Sequence, residues 1–233
     1  MTGAASVRRG SDRIELEPAV RGAAVCMVVI GGIASFVLSG AVISLVRDVL
    51  HISCGIGLPG SEGDGTWMCA DGIGYFGVAV VLGAMLAFVI LAGVLIAGLV
   101  RPGGAASVVL VVLAAAVTAW ILAWTWYGSS ELVWAVPPGT FSVDYWYATV
   151  LPAATASAAA FMVALLGTLT NGVLSRVLLA TASAGLLVAT ALQPALAVNT
   201  LAGAGLLAAA AIRSPIANAR LTRYEGAMGS NPL

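Results

Sequence analysis

The sequence predicts an all-α, polytopic membrane protein of six transmembrane helices with both termini cytoplasmic. Three observations predict it. Of 233 residues, 61 % are hydrophobic and only 9 % charged, where soluble domains carry roughly 25 % charged residues. The apolar residues fall in continuous runs near or above about 20 residues, long enough to cross a bilayer. Of the ten positive charges, all arginine, nine cluster on one side of those runs.

The N-terminal "MTGAASVRRGSDRIELEPAVRG" leads into the first run, about 22–46, closed by Arg47-Asp48. That run is longer than the ~7–15-residue core of a cleaved signal peptide, and no A-x-A pattern closes it. A retained helix is expected, preceded by a disordered lead-in. The second run, about 73–100, stops at the turn Arg101-Pro102-Gly103-Gly104. At 1.5 Å per residue it would reach ~42 Å, so it must tilt or protrude. The third and fourth runs cover about 105–127 and 147–169. A last apolar stretch from Val177 to Ile212 is too long for one span. It divides at Gln193-Pro194 into 177–192 and 195–212, because proline ends or kinks a helix and glutamine is costly in lipid.

The arginines test this division. With the N-terminus inside, Arg8, Arg9, Arg13, Arg21, Arg101, Arg176, Arg213, Arg220 and Arg223 fall on the cytoplasmic side and only Arg47 outside, the bias that sets membrane orientation. Five spans would put Arg213, Arg220 and Arg223 outside. The remaining segments, including external loops 47–72 and 128–146, are too short for a second domain. A lysine-free chain rich in Ala, Gly and Val also fits a genome of high GC content, such as an actinobacterium's.

The first external loop, "HISCGIGLPGSEGDGTWMCADG", holds Cys54 and Cys69 among five glycines. In an oxidising compartment this spacing favours a structural disulfide, whose closure contributes ~3 kcal/mol. Free thiols and a redox or metal centre are the alternatives, yet C-x-x-C is absent and only His51 stands near as a further ligand. Asp48, Glu62, Asp64 and Asp71 lack the spacing of a calcium loop and read as solvated charges. Cys26, inside the first run, reads as a packing residue. No cofactor or metal is expected.

Trp67, Tyr75, Phe76, Trp124, Trp126, Tyr127, Trp134, Phe141, Tyr145, Trp146 and Tyr147 gather at or near the outer face, as an interfacial belt does. The sharper reading makes Trp134, Phe141, Tyr145 and Trp146 an outer contact surface, with Pro137-Pro138-Gly139 turning a loop along the interface. No Asp, Glu, Lys, Arg or His falls within the runs as bounded above. Ion coupling and proton relay need such groups in the membrane, and hydrolysis needs a base beside a nucleophile. No P-loop is present, and no basic tract points to nucleic acid. The expectation is therefore a protein that is not an enzyme. A reaction at His51 and the external acids is the weakest alternative.

Small residues recur at four-residue spacing, as Gly31, Ser35 and Ser39 in the first run and Thr181, Gly185 and Ala189 in the fifth. Such stripes let helices approach closely in lipid. They serve either the chain's own bundle or a partner. Thr118, Thr125, Thr155, Ser157 and Asn199 could line a polar path, which makes a stand-alone passive permease or channel the alternative function. The C-terminal "RSPIANARLTRYEGAMGSNPL" offers arginines to anionic lipid at ~1 kcal/mol each, or is a frayed end.

The segment "SDRIELEPAVRGAA", the Cys54/Cys69 loop and the lysine-free Ala/Val/Gly spans together resemble mycobacterial accessory subunits of Mce-type lipid importers, the lipid-uptake-coordinator group. The resemblance is one of overall character, covers most of the chain loosely and brings no catalytic motif. It implies a plasma-membrane assembly in which permease, ATPase and tunnel subunits move fatty or mycolic-type lipids. This chain would dock beside the permease helices, in contact with membrane lipids, and stabilise or tune the complex.

Overall fold

A computed structural model describes residues 4–60, 62–69, 72–131 and 142–215. Among them are six helices long and apolar enough to cross a membrane: Glu17–Leu38, Phe76–Leu99, Gly103–Ser130, Leu151–Leu169, Val173–Leu192 and Pro194–Arg213. The protein is an all-α, polytopic bundle. Its helices are α1 (Ala4–Leu38), α2 (Gly40–Ser44), α3 (Phe76–Leu99), α4 (Gly103–Glu131), α5 (Ser142–Thr149), α6 (Leu151–Leu169), α7 (Val173–Leu192) and α8 (Ala197–Arg213). A hairpin of β1 (Cys54–Ile56) and β2 (Trp67–Cys69) lies between α2 and α3.

Several boundaries differ from the hydropathy reading. α1 starts at Ala4, so the lead-in expected to be disordered is helical and continues through Pro18. The first span is not one rod to residue 46. It stops at Leu38 and resumes as α2 and a π-helical turn, Leu45–Val49. Ser39 causes the stop locally, because its hydroxyl bonds back to the carbonyl of Phe36 at 2.7 Å and Gly40 follows it. Ser–Gly pairs and side-chain back-bonding both bend helices. The fourth span begins at Leu151 rather than 147, behind the separate helix α5. Span ends also carry more charge than the runs suggested, since Glu17, Arg21, Arg176 and Arg213 lie within the helices. The break at Gln193-Pro194 is where the sequence places it. α7 ends at Leu192, and the Gln193 side chain accepts from the Ala195 amide at 3.4 Å and donates to the Thr149 carbonyl at 3.3 Å.

α8 is the central post. Ala202, Gly203, Ala204, Gly205, Leu206 and Leu207 are all buried in succession, so the helix is enclosed on every side. α1, α3 and α4 each bury a stripe against the rest and expose Ile33, Phe36, Phe88 and Trp120. One apolar core, with Val28, Leu110 and Leu207, fills the end that carries Arg21, Arg101 and Arg213. A second, with Leu50, Ile52, Tyr75, Trp146 and Leu196, fills the disulfide end.

Candidate functional site

Polar side chains in the bundle are spent on helix contacts. Ser107 of α4 donates to the Ala210 carbonyl of α8 at 3.0 Å, and Ser183 of α7 to that of Ala204 at 2.8 Å. The hydroxyls of Thr190 and Thr200 bridge α7 and α8 at 2.6 Å. Thr118 bonds to the carbonyl of Ala114 in its own helix, and Thr155, which is exposed, to that of Pro152. Ser35, Ser157 and Asn199 are exceptions, buried with no hydrogen-bond partner among the described residues. Asn199 is 0 % exposed, and both its amide nitrogen and its oxygen are left unpaired.

Most positions of the small-residue stripes face inward. A Cβ added at Gly31 would lie 2.8 Å from the Leu201 carbonyl oxygen and 2.9 Å from Gly205 Cα, so α1 and α8 touch backbone to backbone. Ser35, one turn on, is fully buried. Ser39 is half-buried at the helix break. Gly185 sits against α6, where an added Cβ would lie 2.9 Å from the Ala160 Cβ. Ala189 is fully buried, whereas Thr181 is exposed. Gly31 and Gly185 are fixed by the distance at which two helices meet, whereas the expected seam does not extend to Thr181, which faces out.

At the disulfide end, Cys54 and Cys69 are bonded and stand opposite each other in the hairpin register. The preceding loop is pinned by two inward side chains, Leu50 and Ile52, both buried. Ile52 packs where Gly128 of α4 leaves room, and its carbonyl accepts from the Tyr75 hydroxyl at 2.9 Å. Holding both neighbours inward forces His51 between them to φ +50°, a left-handed conformation that histidine adopts more readily than most residues. The imidazole stacks on Trp67, with centroids 4.4 Å apart, and meets Tyr145 at 5.3 Å. Burial holds the His51 pKa below its ordinary value, against the opposing pull of the Val49 backbone and Asp48. The Asp48 carboxylate accepts from Ser44 at 3.0 Å and lies 3.8 Å from Arg47, and no hydrogen bond among the described residues joins it to His51.

Of the aromatics expected on an outer contact surface, Trp134 and Phe141 lie outside the described residues. Tyr145 is half-buried against His51. Trp146 is a correction. It is 7 % exposed and turned into the bundle, where its indole N–H donates to the Thr125 hydroxyl at 3.1 Å. A buried indole finds a partner for its N–H, and α5 lies where that bond can form. Cys26, expected to pack inside, faces out of α1. Among the described residues no group of three or more His, Cys, Asp or Glu could hold a metal ion.

The exposed features hydropathy did not indicate are concave. An apolar groove runs between α1 and α3, lined by Gly32, Ile33, Phe36, Gly83, Leu86 and Ile90. It continues toward the helix break past Ser39, Gly40 and Ala79. The glycines on both walls are the signal that could have found it. At the opposite end Glu17, Pro18, Arg21 and Arg101 line a cleft of about 400 Å³.

Compared with protein-family models, curated proteins and solved structures, the chain matches none.

Proposed function

We propose that the protein is a non-enzymatic accessory subunit of a larger envelope assembly in the plasma membrane of an actinobacterium. Both termini and the arginine end face the cytoplasm, and the stapled hairpin faces out. The assembly that the sequence character points to is an Mce-type importer of fatty or mycolic-type lipids, and the permease subunits are the partners. The observation that carries this reading is the division between interior and surface. The bundle uses its hydroxyls and small-residue stripes to hold itself together, which leaves surfaces as the means of action. The α1–α3 groove is the surface best shaped for a neighbouring helix, because Gly83 leaves open space where a side chain would stand.

The test is a native pull-down of the full chain, tagged at its C-terminus on the chromosome and extracted in mild detergent. Stoichiometric recovery of permease, ATPase and Mce subunits, lost in a Gly83→Leu variant that still accumulates, supports the reading. Recovery of the chain alone overturns it.

The buried, unpartnered amide of Asn199 favours a second reading, a passive permease with a polar path through the bundle. Solute flux in liposomes that an Asn199→Leu, Thr155→Leu pair abolishes would establish it, and unchanged flux would end it.

A further inference from the structure

The cleft at the arginine end is built from three separate elements. Pro18 and Arg21 belong to α1, Arg101 to the turn between α3 and α4, and Glu17 closes one rim. Their roles differ. Arg21 pairs with Glu17 through one terminal nitrogen, which leaves its buried Nε without a partner. The Arg101 side chain is exposed and makes no hydrogen bond or ion pair with described residues.

Behind them stands Arg213, the last residue of α8, only 5 % exposed. Its guanidinium donates to the carbonyls of Val100 and Arg101, covering the C-terminal end of α3. Its Nε is buried without a partner among the described residues. Arg21 and Arg101 thus line one cleft with Glu17, and Arg213 is tied to its edge through the Arg101 carbonyl. α4 begins at Gly103, two residues beyond Arg101, and its positive end adds to the same field. Arg176 does not contribute, because it is committed to the Ser214 carbonyl at 3.0 and 3.1 Å.

We propose that this cleft is a binding site for the phosphate of an anionic phospholipid headgroup. Arg21 and Arg101 contact the phosphate, Arg213 supplies fixed positive charge from behind, and Pro18 packs against the glycerol. Position favours a lipid over a soluble anion. The cleft opens beside the apolar faces of α1 and α3, where acyl chains continue into the bilayer, and cationic pockets between helices at this depth hold anionic headgroups.

The full-length protein in detergent micelles is titrated with phosphatidylglycerol, phosphatidylcholine and inorganic phosphate, and retained lipid is counted by native mass spectrometry. Phosphatidylglycerol should be retained well above phosphatidylcholine. Arg101→Gln should weaken that retention about fivefold, the effect of removing one interfacial cation, and Arg21→Gln should act in the same direction. Arg47→Gln makes the same charge change at the disulfide end and should leave retention unchanged. Arg101→Gln touches no described bond of its side chain, so its unfolding temperature without lipid should match the parent's and separate lost binding from lost fold. Equal retention of the two lipids, equal retention by Arg101→Gln and parent, or displacement of phosphatidylglycerol by inorganic phosphate at matching concentration would each overturn the assignment.

Discussion

Gly31 and Gly205 bring α1 and α8 together more closely than any other residue type allows. A Cβ on Gly31 would lie 2.9 Å from Gly205 Cα, and one on Gly205 would lie 3.1 Å from Gly31 Cα and 2.7 Å from the Met27 carbonyl oxygen. The obstructing atoms are backbone, so neither side can yield. Gly31→Ala or Gly205→Ala should therefore destabilise the bundle by about 1–3 kcal/mol, the cost of overpacking a fitted interface. Gly83→Ala, which meets nothing within 4 Å, is the matched control. Thermal unfolding in detergent decides it, and equal losses in all three variants would contradict the seam.

The Cys54–Cys69 bond closes a hairpin whose turn holds Gly57, Gly60, Gly63 and Gly65 and is braced by the Gly57 amide donating to the Thr66 carbonyl at 3.0 Å. Peptide mass analysis without reduction should show the two cysteines linked. A Cys54→Ala, Cys69→Ala variant should lose about 3 kcal/mol at most, since the chain-entropy term for a loop of this size sets that scale. The loss should be confined to the disulfide end, because Leu50 and Ile52 anchor the loop independently.

His51 makes stability depend on pH with a definite sign. Burial lowers its folded pKa, so the unfolded chain takes up the proton first as pH falls. The fold's preference for neutral His51 is fully present above the ordinary histidine value, near 6.5. It is lost progressively as pH drops through that value toward the lowered one. Unfolding temperature should decline between about pH 7.5 and 5.5, and His51→Asn, which tolerates the left-handed backbone, should flatten the decline. An unchanged slope in that variant would assign the effect elsewhere.

The bond from Trp146 to Thr125 holds α5 against α4. Trp146→Phe keeps an aromatic ring but removes the donor, for an expected cost of about 1 kcal/mol. Thr125→Val removes the acceptor. Combined, the two losses should sum to less than their separate values, and strict additivity would mean that the bond contributes nothing.

Asn199 should respond in the opposite direction. Its amide is buried with no partner among the described residues, so Asn199→Leu removes two desolvated polar atoms at similar volume. A gain of about 1–3 kcal/mol is expected. A loss would show that the amide is engaged in a way a static bundle does not reveal, and would strengthen the permease reading.

The sequence by itself determined which segments are helices of membrane length, where the last apolar stretch divides, and which residues staple the loop before α3. Those features are local. Run length follows from hydropathy, the division from Gln193-Pro194, and the staple from two cysteines in a flexible loop. Tertiary structure alone decided which faces meet. In lipid every face of a span is apolar, so hydropathy cannot distinguish an inward stripe from an outward one, as it can in water. The central place of α8, the pairing of Gly31 with Gly205 and the inward turn of Trp146 all depend on how closely helices fit side by side. The use of arginines is likewise a matter of proximity. One-sided charge bias placed Arg21, Arg101 and Arg213 at the same end, but only packing showed that Arg213 covers the end of α3 while Arg101 is left open.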